Sequence, residues 1–208
     1  MTVNYAISSE VVDIRYDNPK AGDAFLVDTN VWYWVTYSRA SMSRMPPLNY
    51  QITTYPNYMQ ASLQAGARIL QSGLSLSELT HLIEKSEWEI YRRISNTSLF
   101  KKEYRHNLDT ERANVVSEVH SAWGQVLGLA EPLDVLIDAP ASSSALTRLR
   151  TQQVDGYDLF MLEAMNTNGI IQVLTDDGDF ATVPGIQVFT ANQTVIDAAC
   201  AQGKLIVR

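Results

Sequence analysis

The feature that most constrains this chain is a short apolar run stopped by an acid. Ala24-Phe-Leu-Val27 holds no polar residue and is followed at once by Asp28-Thr29-Asn30. A continuous apolar run of this length fits a strand buried on both faces; a half-buried strand would alternate. Ile170–Leu174 and Ile186–Phe189 read as two more buried strands, and Leu74–Ser77 and Val135–Ile137 as further candidates. Helical patterns lie between them. One covers Val31–Tyr37 behind a Thr29 or Asn30 cap, and one Asn57–Gln71 with Gly73 as its stop. Another spans Leu79–Ile94, with Leu79, Leu82 and Ile83 on one face. A Thr110-capped helix runs to about Gly128 with Val115, Val116 and Val119 inward. Ser144–Arg150 and a helix from Asp155 through Met165 complete the pattern, and residues 38–56 read as a loop rich in Ser, Pro and Tyr. Strand–helix alternation predicts an α/β fold with a mainly parallel central sheet flanked by helices.

Composition narrows the function. The chain has 208 residues, long enough to bury ~70% of its unfolded surface as one domain without a disulfide or metal staple. Its net charge of −7 excludes a uniformly basic nucleic-acid coat, though not a local basic patch. The single cysteine, Cys200, excludes an internal disulfide and Cys-rich zinc modules, and three scattered histidines do not make a zinc cluster. The start carries no basic and apolar leader pattern, and the longest uncharged stretch is too polar for a membrane span. A cytoplasmic protein without membrane contact is the expectation.

In open α/β sheets, sites form at the carboxyl ends of strands. Asp28, Glu78 and Asp177 fall at such positions and Asp158 in a first helical turn, with Asp179 two residues beyond Asp177. Each has an ordinary alternative. Asp28 could cap a helix, Glu78 is a normal first-turn residue, and Asp155 and Asp158 could be cap and capping partner. Asp177-Gly178 could turn a hairpin. Glu163 lies ~140° around the helix from Asp158 and should point elsewhere. Placement at the ends of successive strands disfavours these alternatives jointly. Gathered carboxylates would repel by ~4 kcal/mol per pair at 4 Å and a dielectric of 20, so the fold must protonate some or bind cations. An oxygen-only donor set suits Mg²⁺ or Mn²⁺, and such acidic sites characteristically act on phosphates.

Phe25-Leu-Val-Asp28-Thr29-Asn30-Val31 resembles the opening of a PIN-domain nuclease. Leu76-Ser-Glu78-Leu79 looks like the second acid of that family, Asp158-Leu-Phe-Met-Leu-Glu-Ala164 is similar to the third, and Leu174-Thr175-Asp176-Asp177-Gly178-Asp179-Phe180 looks like its Thr-x-Asp-x-Asp-Phe block. The resemblance touches residues 24–190. It implies a metal-dependent endoribonuclease with a parallel sheet flanked by helices. Asp28, Glu78, Asp158 and Asp177 would be the catalytic, metal-binding acids for Mg²⁺ or Mn²⁺. Asp179 would be an auxiliary ligand and Asp155 the runner-up for the third acid. Thr29, Asn30 and Thr175 would be supports that orient the acids. RNA is the implied substrate. Because many members are toxins of bacterial toxin–antitoxin pairs, a small antitoxin protein and a homodimer are the partners it suggests. Against compact members of that family, the single domain over 1–208 has an extension over residues 1–23 and insertions over 38–62 and 84–132.

Other acidic phosphate chemistries fit less well. A receiver domain needs an acidic pair after its first strand and a Lys after its last, and a haloacid-dehalogenase-type phosphatase needs Asp-x-Asp where Asp28-Thr-Asn30 stands. No Walker, dinucleotide or Gly-x-Ser-x-Gly motif occurs. His81 follows Glu78 at i+3, but a bundle di-iron site needs two such pairs. A PIN-like module that binds RNA or protein without cleavage is the non-enzymatic alternative. Arg92, Arg93, Lys101, Lys102 and Arg105, interleaved with Tyr91, Phe100 and Tyr104, are candidates for RNA contact, against a simple solvated surface stretch. Tyr50, Tyr55 and Tyr58 with Trp32 and Trp34 fit core, dimer surface or antitoxin surface equally.

Overall fold

The computed structural model describes residues 3–208. Those residues form an α/β layered fold around a seven-stranded, all-parallel sheet of order β4-β3-β2-β5-β6-β1-β7. The strands are β1 (Glu10–Asp13), β2 (Ala24–Val27), β3 (Arg68–Gln71), β4 (Glu131–Pro132), β5 (Gln172–Leu174), β6 (Gln187–Thr190) and β7 (Leu205–Ile206). The helices are α1 (Thr29–Thr36), α2 (Asn49–Gln64), α3 (Gly73–Ile94), α4 (Lys101–Asn107), α5 (Asp109–Leu129), α6 (Ala139–Leu149), α7 (Gly156–Thr167) and α8 (Gln193–Ala201).

Alternation along β2 divides the core. Phe25 and Val27 face a layer with Trp32, Tyr55, Ile69, Ile83 and Phe189, while Leu26 faces a second layer with Leu70, Met161, Leu162 and Val188. Both faces are buried, which is why β2 reads as an unbroken apolar run. β2 is also where the topology reverses: β3 and β4 lie on one side of it and β5, β6, β1 and β7 on the other. Such a switch point opens a crevice at the carboxyl ends of the strands.

Several elements differ from the sequence expectations. The strand expected at Leu74–Ser77 lies inside α3, and the true strand, β3, is Arg68–Gln71. The helix stop is Gly66 at φ 79, not Gly73; Ser72 then caps α3 by accepting from the Leu74 N–H. Residues 49–56 are helical although Pro56 lies among them. The Leu48 N–H is satisfied by the Gln51 side chain at 2.8 Å, which starts α2 earlier than the proline suggests. Val135–Ile137 is irregular, with β4 just upstream. Val115 packs inward, but Val116, turned by 100°, is half exposed. Within the extension expected over residues 1–23, β1 is a full member of the sheet between β6 and β7; residues 1 and 2 lie outside the described ones. Among the described residues, no helix is long and apolar enough to cross a membrane.

Candidate functional site

β2 and β5 are neighbours in register, Val27 opposite Leu174, so the residues after each strand emerge side by side. The Asp28 N–H donates to the Leu174 carbonyl at 3.0 Å, and the Thr175 N–H to the Phe189 carbonyl at 3.1 Å. These backbone bonds extend the sheet by one residue and set the two turns against each other. A side-chain chain follows: the Asp177 N–H donates to Thr175 Oγ1 at 2.8 Å, and that hydroxyl donates to Asp28 Oδ2 at 2.7 Å. Asp177 in turn accepts from the Asp179 N–H at 2.9 Å. This opens a 3₁₀ turn at Gly178–Thr182 rather than a hairpin, since β5 and β6 are parallel.

Asp28 is the residue before α1, yet its side chain makes no capping bond there. It is buried, at 3% exposure, and turned to Thr175. Capping therefore does not explain it. Asp155 does cap α7, accepting from the Tyr157 and Asp158 N–H groups at 2.9 and 3.3 Å. Asp158, one helical turn on, is buried and free of capping duty. Glu78 lies in the second turn of α3, and α3 packs on α7.

The four acids converge. The charges acting on Asp28 come from Glu78 and Asp177, those on Asp158 from Asp28, Asp155, Asp177 and Glu78, and those on Glu78 from Asp155 and Asp177. All are negative. Burial first, then these like charges, pushes Asp28 up to about 7 against the Thr175 hydrogen bond, and its partner Asp158 up to about 9. Burial and like charge thus favour the protonated form of both carboxyls. Burial also raises Glu78, Asp177 and Asp179, with the Asp179 N–H opposing it at Asp177.

Among the described residues, no three His, Cys, Asp or Glu side chains close to the geometry of a metal site. The donor set nevertheless suits a hard cation: every candidate donor is an oxygen, and two buried polar atoms in it, Thr29 Oγ1 and Glu78 Oε2, lack a hydrogen-bond partner.

No protein-family model matches the chain, and no curated protein matches it. Its outline is similar to a chain in the crystal structure of VapBC2 from Rickettsia felis bound to a DNA fragment from their promoter. The TM-score is 0.47 at 13% identity, covering 80% of this chain and 98% of that one.

Two contributors escaped the sequence. Tyr5 packs its ring on Gly178 so closely that a Cβ there would lie 2.2 Å from its Cζ, and Asp177 and Asp179 face its phenol. Asp176 is held by Tyr50, Gln51 and Tyr55 at 3.0, 2.8 and 2.7 Å, and Tyr55 also bonds the Thr175 carbonyl. Tyr55, Tyr58 and Trp32 are thus core residues, Tyr50 is half-buried on Asp176, and Trp34 stays partly open. Glu163 points away from the site to Arg148. His81 is exposed, and Asn30, two residues past Asp28, lines a cavity with Tyr33, Trp34 and Lys85.

The basic segment is organised rather than loose. Lys101 and Arg105, on α4, converge on buried Glu84, with Arg112 of α5 nearby. Their charge drives Glu84 down to about 2, Arg105 contributing most. Arg92 stacks on Trp88 at 4.9 Å and donates to the Thr97 carbonyl, Arg93 donates to the Met42 carbonyl, and Lys102 is exposed.

Proposed function

We propose that the chain is a metal-dependent endoribonuclease with a PIN-like site. The observation that carries this is the convergence of Asp28, Glu78, Asp158 and Asp177, from four separate segments, at the carboxyl ends of β2 and β5 with only negative charge acting on them. A protein gains nothing in stability from such a cluster; it is a reserved place for positive charge. The four acids would hold Mg²⁺ or Mn²⁺, with Asp179 auxiliary. When bound, the cation supplies charge stabilisation on a phosphodiester and a water of lowered pKa. Thr175 fixes the Asp28 carboxylate, Thr29 offers its unpartnered hydroxyl beside Glu78, and Asn30 marks the edge where substrate would enter.

The motif resemblance extends the proposal to a toxin of a toxin–antitoxin pair with a small protein antitoxin. Growth arrest on expression, relieved by Asp28→Asn, is the expected result. The enzymatic reading is tested with purified protein and mixed single-stranded RNA. Cleavage should need Mn²⁺ or Mg²⁺, stop in EDTA and be absent from Asp28→Asn. Binding of RNA without cleavage under all these conditions would favour the non-catalytic module instead.

A further inference from the structure

The face of α3 that carries Glu78 into the carboxylate cluster continues away from it. Leu82, Lys85, Glu89 and Arg92 follow Glu78 at i+4, i+7, i+11 and i+14, the spacing that keeps side chains on one side of a helix. At 1.5 Å per residue this stripe is about 21 Å long. α1 and the loop after it form the facing wall. Between them lies a cavity of 620 Å³ lined by Asn30, Trp34, Arg44 and Lys85, and beyond it one of 410 Å³ lined by Trp88, Arg92 and Arg93. Both are bordered by Arg44 and Glu89, so they form one groove. It begins at Asn30, two residues from Asp28, and ends at Arg93.

The groove is basic on an acidic protein. Arg44 and Lys85 are exposed, and neither forms an ion pair among the described residues. Arg93 is exposed and uses one Nη on the Met42 carbonyl. Glu89 is the one acid in the lining. Trp34 leans on Tyr55, ring centroids 5.6 Å apart, and remains partly open to the groove. By contrast Lys101 and Arg105, in the most basic stretch of the sequence, spend their charge on Glu84.

We infer that this groove is the track for single-stranded RNA leading into the carboxylate cluster, with Arg44, Lys85 and Arg93 on phosphates and Trp34 as a stacking platform. The inference rests on the nuclease reading above. Cations spaced along a groove match a regular polyanion, and an open indole face accepts any base. An acidic peptide would supply charge but no flat partner for Trp34.

The test is equilibrium binding of a fluorescein-labelled single-stranded RNA of about ten nucleotides to the full chain in EDTA, over a salt series. The double variant Arg44→Ala/Lys85→Ala should bind about tenfold more weakly, and its log K against log salt slope should flatten by about 1.4, ~0.7 per lost phosphate contact. Trp34→Ala should weaken binding about tenfold with the slope unchanged. Lys20→Ala, at the opposite, amino end of β2, should match the wild type. An unchanged slope in the double variant, or an equal loss in Lys20→Ala, would overturn the assignment. So would displacement of the RNA by polyglutamate at equal charge concentration, which would mark an acidic-protein surface. Wild-type cleavage in Mn²⁺ with an unchanged slope removes only the groove. A flattened slope with no cleavage removes the nuclease reading and leaves RNA binding.

Discussion

Asp28→Asn should make the metal-free protein more stable, because Asp28 is buried among like charges. A carboxyl moved from 3.8 to about 7 carries an unfavourable term of up to about 4 kcal/mol above neutral pH, at 1.36 kcal/mol per unit. Asparagine removes the charge of Asp28 but still buries a polar group, so about 2 kcal/mol is the expected gain. Asparagine keeps the shape of the side chain. Its carbonyl can accept from Thr175 Oγ1 as Oδ2 does now, and its amide would face carboxylates able to accept. At 208 residues, 2 kcal/mol corresponds to about 4–8 °C in Tm. Scanning calorimetry at pH 8 in EDTA should show that rise. In saturating Mn²⁺ the order should narrow or reverse, because the wild type gains ~2.7 kcal/mol at a hundredfold excess over Kd and the variant gains less. A variant that melts below the wild type in EDTA, with neither protein moved by Mn²⁺, would refute the reasoning.

Other outcomes follow from the same structure. Asp28 and Asp158 have folded pKa values raised above their unfolded ones, so their contribution is fully present below about pH 4 and is lost as pH rises through 7 and 9. In EDTA, Tm should therefore fall between pH 6 and 9, and that fall should be shallower in Asp28→Asn. Glu84→Gln leaves Lys101 and Arg105 without their buried partner and should cost about 2 kcal/mol in urea denaturation, α4 losing amide protection first. Gly178→Ala must push the Tyr5 ring aside and should cost about 1 kcal/mol, and adding Tyr5→Ala should recover most of it in a double-mutant cycle.

Much of the carboxylate cluster was legible because its positions carry local signals. The unbroken Phe25-Leu-Val27 run marks a central strand, and the acid after it lands at the switch point. Thr175 and Asp177 follow a second such run, and Asp158 follows a strong N-cap, Asp155. Glu78 lands in the cluster although its strand was misplaced, because Gly66 rather than Gly73 ends α2. β1 and β7 were illegible: β1 offers two consecutive valines between acids and β7 two residues, and β1 is a strand by virtue of β6 beside it, β7 by virtue of β1. The basic segment misled for a different reason. Charge in sequence does not say where a buried partner lies, and Glu84 stands 21 residues before Arg105 on another element. Tyr5 and the Asp176 clamp depend on contacts across more than 120 residues, which no local pattern encodes.

The central claim is that Asp28, Glu78, Asp158 and Asp177 form one divalent-cation site. Crystals of the wild type soaked in Mn²⁺ and measured at a wavelength where manganese scatters anomalously test it most directly. An anomalous peak within about 2–2.5 Å of carboxylate oxygens from at least three of these residues is predicted, absent from Asp28→Asn crystals treated identically. No peak at the ends of β2 and β5 in saturating Mn²⁺, or an equal peak in Asp28→Asn, would contradict it.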